Sequence, residues 1–378
     1  MPRAIVGRWR LYHQRITHPP FQHASEVVSW LGAMQGQDYL GTKWAFGLRL
    51  PFQTEADIDQ AIADRLIMRT WGPRGTLHYI APADIHWMVA LIAPSQISRN
   101  ARRYQQLELD AATLIHTTEL IGQALRDGAH LTRTEILARI EADGIPTDGQ
   151  RGFYMLHHAG LERVLYQGEM RGSETTYLGL GAGNPLPKEE ALAALARRYF
   201  TSRGPATLVD FATWSGLPMG EAREALSAVN AELAEEKIGD QVYLHSTEAP
   251  QPPQRSIYLL PGFDEFVLGY KDRGDVLEAQ FADAICPGSN GIFTPSIVCN
   301  GRIVGTWKRT LKSAPRKLRF RGNPEQQTDG LPNKKKTVEI TLQPFYPLAD
   351  HDIPALIEAA QHYGKFLGRQ VIMPPYLT

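Results

Sequence analysis

The sequence predicts an α+β chain built of several units in tandem. Three observations carry this: a recurring order of helical segments followed by a β-hairpin, a Pro-rich break near residue 250, and a strand-dominated final third. At 378 residues the chain also exceeds what one small core organises.

Along the chain, residues 3–15 read as a helix that "HPPF" stops. Ser25 stands as the N-cap of a second helix, "EVVSWLGAM", with Gly36 as its terminator. Thr54 and Asp57 have capping-box spacing at the start of "TEADIDQAIADRL". "LIMRTW" and "GTLHYIA" flank Gly72-Pro73-Arg74-Gly75 and read as a hairpin, and Pro82 suits the start of the helix that follows. A second unit has helices at "ATLIHTTELIGQALRDG", at "TRTEILARIEADG" with Thr132 and Glu135 at capping spacing, and at "DGQRGFYMLHHAGLE". Its hairpin turns at Arg171-Gly172-Ser173. A third unit repeats the order, with Thr207 and Asp210 capping its middle helix and Gly239-Asp240 at the hairpin turn.

Three helices and a two-stranded ribbon form the order of a winged helix-turn-helix. It is clear in the second and third units, and looser, with an inserted helix, in the first. No fixed residue period accompanies it, which excludes a solenoid. Beyond the Pro-rich residues 246–256 come strand-like runs and a terminal helix, "DIPALIEAAQHYGKFLG". The expected boundaries are 1–108, 109–184 and 185–250 for the three units, and 251–378 for a β-rich C-terminal domain.

Composition narrows the function classes. With 43% hydrophobic and 21% charged residues the chain is ordinary globular material. No apolar run reaches the roughly 18 residues that a membrane span needs. The start, "MPRAIVGRWRLYHQR", is basic and amphipathic without an apolar segment, so a cytoplasmic protein is expected rather than a secreted one. Two cysteines, Cys286 and Cys299, fit a reducing compartment and exclude a Cys-rich zinc module. The formal net charge is zero, but residues 301–336 hold eleven Lys/Arg against Glu325 and Asp329. A neutral chain with one basic face can bind a polyanion.

Within that segment "GRIVGTWKRTLKSAPRKLRFRG" reads as two strands around "KSAPR". Lys308, Arg309 and Lys312 on the outgoing strand, and Arg316, Lys317, Arg319 and Arg321 on the return, are candidate DNA contacts. Arg74, at the tip of the first hairpin, joins them. A solvated edge strand rich in lysine is the plainer alternative. The phosphate reading accounts better for so many arginines.

Gln35 and Gln37 straddle Gly36 in "MQGQDY". Helical residues two apart point away from each other, so both amides address one pocket only if the helix ends between them. Capping of free helix carbonyls is the alternative. Elsewhere, "GLGAGN" lacks dinucleotide-loop spacing and reads as a loop, and the adjacent His157 and His158 point apart on a helix. Asp264 and Glu265 in "PGFDEF" are either a catalytic carboxylate or a helix-start cap. Asp38 reads as the cap of the next helix.

"MQGQD", "TWGPRGTLHYI", "GPATLVDFATWSGL", "LLPGFDEFVLGYKDR" and "GIFTPSIVCNGRIVGTWKR" occur in an order that resembles the AlkZ-like DNA glycosylases, over nearly the whole chain. The resemblance implies three tandem winged helices plus a β-rich domain in a C-shaped clamp on duplex DNA. It also implies a catalytic motif of glutamine, an apolar residue, then glutamine or aspartate, which Gln35, Gly36 and Gln37 occupy with glycine as the departure. A DNA-holding hairpin in the C-terminal domain corresponds to the basic ribbon.

Amides are neither acid nor base, which suits a base that leaves already cationic. An N7-alkylated purine departs as a neutral molecule without protonation, so the site need only stabilise the sugar cation and place water. The expected activity is therefore a monofunctional glycosylase on N7-alkylated purines, with bulky adducts or crosslinks among the candidate lesions. It would work as a monomer on double-stranded DNA, without cofactor or metal. Lys43 and Lys271 are the amines that would make it bifunctional. The rival is a non-enzymatic winged-helix DNA-binding protein or transcription regulator, which would select operators and bind as a dimer.

Overall fold

The computed structural model describes residues 5–248, 256–312 and 336–374. The first part runs α1 (Val6–His13), α2 (Ala24–Leu31), β1 (Ala33–Gln35), α3 (Tyr39–Gly47), α4 (Glu55–Ala63), β2 (Met68–Trp71) and β3 (Leu77–Ile80). The long α5 (Ile85–Gln106) leads to α6 (Ala111–Ala124), β4 (Leu131–Thr132), α7 (Arg133–Ala142), α8 (Arg151–Leu161), β5 (Leu165–Arg171) and β6 (Glu174–Gly179). Then follow α9 (Lys188–Arg203), α10 (Leu208–Ser215), α11 (Met219–Val229), β7 (Leu233–Ile238) and β8 (Gln241–Ser246). The final part is β9 (Ile257–Leu260), α12 (Glu265–Leu268), α13 (Ala282–Ile285), β10 (Ser296–Cys299), β11 (Arg302–Lys312), β12 (Thr337–Pro344), α14 (Ile353–Phe366) and β13 (Gln370–Ile372).

The order helix, short strand, helix, helix, hairpin occurs in each of the first three parts. In the first, β1 pairs antiparallel with the second hairpin strand, β3. In the second, β4 pairs with β6. In the third, a single bridge between Ala206 and Leu244 takes the place of the short strand. The first part is thus as regular as the others once α1 is set aside as the extra helix. The capping boxes at Thr54, Thr132 and Thr207 all form. Ser25 does not cap α2. His23 is the N-cap and Glu26 closes the box, so Ser25 lies in the first turn.

Two sheets tie the parts together. β1-β3-β2-β5-β6-β4 form one six-stranded sheet, the first and second hairpins meeting through Arg69 and Gln167. The C-terminal sheet has the order β13-β12-β11-β10-β9, and the strand β13 after α14 adds parallel to β12. One core spans both ends of the chain: the Trp44 ring of α3 meets Tyr363 at 4.8 Å and Phe366 at 5.3 Å on α14. The Trp44 indole N–H donates to the Leu259 carbonyl (2.7 Å), which gives this large apolar ring its polar partner inside the core.

Candidate active site

Gln35 closes β1, and the structure corrects the local reading. Gly32, in the left-handed region at φ 75°, ends α2. Gly36 does not terminate a helix, and it has no positive φ. Ala33–Gln35 is extended as β1, the Gly36 N–H still reaches the Leu77 carbonyl on the β3 side, and the chain bends at Gln37. The two amides therefore converge across the end of a strand, where the chain bends, and not across a helix end.

They also bind each other. Gln35 Nε2 donates to Gln37 Oε1 (2.9 Å), while the Gln37 backbone N–H donates to Gln35 Oε1 (2.7 Å). Gln35 is buried and Gln37 exposed, so the pair runs from the interior to the surface. The backbone of Gln35 and Gly36 is held at every polar group. The Gln35 N–H donates to Glu265 Oε1 (2.8 Å), and the Gln35 carbonyl accepts from Thr42 Oγ1 (2.9 Å). The Gly36 N–H donates to the Leu77 carbonyl (2.8 Å), and its own carbonyl accepts from Arg69 Nε (2.8 Å). Such fixed dipoles are the raw material of electrostatic preorganisation. Asp38 caps α3, accepting from the Gly41 N–H (3.0 Å).

A Cβ added at Gly36 would lie 3.3 Å from the Tyr79 ring and 3.4 Å from the Leu77 carbonyl oxygen. The ring needs to yield only a few tenths of an ångström, so an apolar residue fits here. Gly36→Ala is expected to keep excision within about threefold of the parent, measured as a single-turnover rate. A loss near that of a glutamine variant would mean that glycine itself is required.

Behind β1 lies a buried polar cluster that sequence reasoning missed. Glu265 Oε2 accepts from Arg203 Nη2 (2.8 Å) and from the Trp214 indole N–H (3.0 Å). Burial alone would raise the Glu265 carboxyl, but the neighbouring charges, Arg203 foremost, and the Arg203 hydrogen bond outweigh it and hold it at about 2. Asp264 is the helix-start cap of α12, accepting from the Phe266 N–H (2.9 Å). "PGFDEF" and "TWSGL" carried the resemblance without announcing these roles, and nothing in the sequence marks Arg203 at the end of α9.

The other candidates divide. Arg74 turns inward, its Nη1 donating to the Trp214 carbonyl (3.1 Å), and burial lowers its pKa. Lys308 and Lys312 are exposed on one face of β11, and Lys312 pairs with Glu339 (2.6 Å). Arg309, on the other face, donates to the Tyr363 hydroxyl. Over Gly305–Lys312, β11 pairs with β12. Arg316, Lys317, Arg319 and Arg321, and with them the expected return strand, lie outside the described residues. Lys43 is buried and ion-paired with Glu55 and Asp59, both at 3.0 Å, which ties up its amine. Lys271 is exposed. Among the described residues no cluster of metal-ligating side chains occurs, and no helix is long and apolar enough to cross a membrane.

Three buried histidines give the protein a pH signature. Burial, with neighbouring positive charge, lowers His78 and His13 to about 3, and burial lowers His157 to about 4. Each is neutral when folded but protonates near 6.5 when unfolded, so the unfolded chain binds more protons below that pH. Stability is therefore expected to fall below pH 6.5 by about 1.4 kcal/mol per pH unit per histidine, down to the folded pKa. Urea midpoints at pH 7.5 and 5 check this; equal midpoints would contradict it.

The profile of the family described as "DNA glycosylase AlkZ-like" matches residues 28–366. An interstrand DNA cross-link repair glycosylase of Streptomyces sahachiroi is 26% identical over 322 residues, which cover 80% of this chain and 86% of that protein. The solved structure of Streptomyces sahachiroi DNA glycosylase AlkZ superposes with a TM-score of 0.77 at 23% identity, over 99% of this chain and 100% of that one. With the profile spanning most of its length, the chain belongs to the AlkZ-like family of DNA glycosylases.

Proposed function

We propose that this DNA glycosylase removes N7-alkylated purines from duplex DNA and that it unhooks interstrand crosslinks built on such bases. The observation that carries the reading is the Gln35–Gln37 pair: two side-chain amides joined by a hydrogen bond, on a backbone tethered at Gln35 and Gly36, one reaching the surface. The cross-link repair named for the Streptomyces relative supports the crosslink half of the reading.

An N7-alkylpurine carries its positive charge into the bond-breaking step and leaves neutral, so no general acid is required. The sugar becomes oxocarbenium-like. The Oε1 atoms of Gln35 and Gln37, fixed by each other and by the backbone, supply the negative ends of two dipoles toward that charge. The amide of Gln37, on the exposed side, orients the attacking water. Undamaged purines, as poor leaving groups, remain in place. Lys43 is ion-paired, which favours a hydrolytic reaction over a Schiff base.

In this reading each of the three repeated parts, 1–108, 109–184 and 185–250, is a winged helix-turn-helix, and 251–378 completes a C-shaped clamp around the duplex. Lys308 and Lys312, with Arg316, Lys317, Arg319 and Arg321, contact phosphates, while Arg74 and Arg309 support the protein framework. The protein acts as a cytoplasmic monomer. The test is a single-turnover assay on one duplex carrying N7-methylguanine and one carrying an N7-guanine interstrand crosslink. Excision well above spontaneous depurination supports the proposal. Absence of both reactions, with sequence-selective binding to undamaged DNA, would favour a regulator.

A further inference from the structure

β1 is an edge strand. Its inner side pairs with β3, while its outer side carries N–H and C=O groups with no neighbouring strand. A buried ion pair fills that side. Arg203 Nη1 donates to the Leu31 carbonyl (2.7 Å) and Nη2 to the Ala33 carbonyl (2.8 Å), while Glu265 Oε1 accepts the Gln35 N–H (2.8 Å). Guanidinium and carboxylate are themselves joined at 2.8 Å. Together they present a donor to Ala33 and an acceptor to Gln35 along the strand, as a partner strand would, and a further donor to Leu31 at the end of α2. Thr42 Oγ1, at the N-terminal end of α3, lies 2.9 Å from the Gln35 carbonyl and shares its one proton between it and the Asp38 carbonyl at 2.7 Å.

These tethers come from three distant stretches of chain. Arg203 ends α9, Glu265 opens α12, and Thr42 lies on α3. Trp214 of α10 adds its indole N–H to the carboxylate, and the guanidinium lies 4.2 Å from its ring centroid. Arg203 and Glu265 are both shut off from solvent, and neither reaches the surface where DNA would lie. Their contacts end on the backbone that carries the two amides.

We propose that Arg203, Glu265 and Thr42 are positioning residues for the glycosylase reaction, holding β1 so that the Gln35 and Gln37 amides meet the sugar at a fixed distance. This rests on the reading of Gln35 and Gln37 as the reacting pair. Arg203 Nε and Nη2 both donate to Glu265 Oε2 (3.1 and 2.8 Å), which fixes the carboxylate's orientation and leaves Oε1 to accept the Gln35 N–H. A shift of about 1 Å in the amides, at an otherwise intact site, is enough to cost up to about a hundredfold in rate.

Glu265→Gln, Thr42→Val and Thr42→Ser test this with three readouts: single-turnover rate on N7-methylguanine duplex, duplex Kd, and amide hydrogen exchange over residues 33–37. Glu265→Gln and Thr42→Val are each expected to lower the rate constant at least about tenfold, with Kd within about threefold. Thr42→Ser, which keeps the hydroxyl, restores the rate. Exchange over 33–37 quickens in Glu265→Gln at least about tenfold while distant segments stay protected. A merely structural role would lower the active fraction and leave the rate constant of the folded enzyme unchanged, which overturns the proposal. So does an unchanged exchange pattern in Glu265→Gln. Should Glu265→Gln not fold, Thr42→Val decides: a parent-like rate overturns the positioning role. A parent enzyme that excises nothing overturns the glutamine reading instead, and the exchange measurement still tests the tether.

Discussion

Alanine at both Gln35 and Gln37 is expected to lower single-turnover excision of N7-methylguanine by about 10³-fold, roughly 4 kcal/mol of transition-state stabilisation. Duplex Kd should stay within about threefold. The size follows from what a fixed dipole is worth beside a developing charge: removing one preorganised partner typically costs about 10²–10³. One hydrogen bond joins the two side-chain amides and is lost in either single variant, so each also disturbs its partner, while the Gln37 backbone N–H still holds Gln35 Oε1 in Gln37→Ala. The singles are therefore expected at about 10²-fold each, and their product should exceed the loss in the double. Binding is spared because neither side chain is charged, and most affinity for DNA comes from phosphate neutralisation elsewhere. The measurement is the rate with enzyme in excess, beside a titration of uncleaved duplex. Unchanged excision in the double variant would remove the pair from the chemistry.

How far the sequence foretold this site depends on the range of the interactions. Capping boxes at Thr54, Thr132 and Thr207 were legible because cap and partner sit three residues apart. The hairpins were legible for the same local reason. Gln35 and Gln37 were found as a pair, but on a helix end. "SWLGAMQGQ" offers two glycines, and choosing Gly32 over Gly36 as the stop depends on β1 pairing with β3, some 45 residues away. That pairing is tertiary, and no local propensity encodes it. Glu265 and Arg203 were out of reach for a stronger reason: their partners lie 230 and about 170 residues away in sequence. The bond from Arg74 to the Trp214 carbonyl of α10 was not legible either, because a hairpin tip normally faces solvent, whereas Arg74 here is half-buried.

Arg49→Ala is expected to destabilise the folded protein by about 3–5 kcal/mol. Arg49 is completely buried, just beyond α3. Its guanidinium makes five hydrogen bonds: Nε to the Gln14 carbonyl (2.9 Å), Nη1 to the Ala45 carbonyl (2.8 Å) and Asp264 Oδ2 (3.0 Å), and Nη2 to Gln14 Oε1 (3.1 Å) and Asp264 Oδ1 (3.2 Å). Every donor of the group is used. Alanine removes them all and leaves the Asp264 carboxylate charged and equally inaccessible. The dominant cost is that unpaired charge rather than the lost bonds, since bonds to protein replace bonds to water at a small net gain. The two contributions separate experimentally. If charge dominates, Arg49→Met/Asp264→Asn should be less destabilised than Arg49→Ala although it removes more native hydrogen bonds. Urea midpoints followed by tryptophan fluorescence and by circular dichroism would give both values. A double variant at least as unstable as the single would assign the cost to geometry, with the fork acting as a brace between the loop after α1, the end of α3 and the start of α12. A milder double would instead assign the cost to the stranded Asp264 carboxylate at the start of the helix that carries Glu265 to β1.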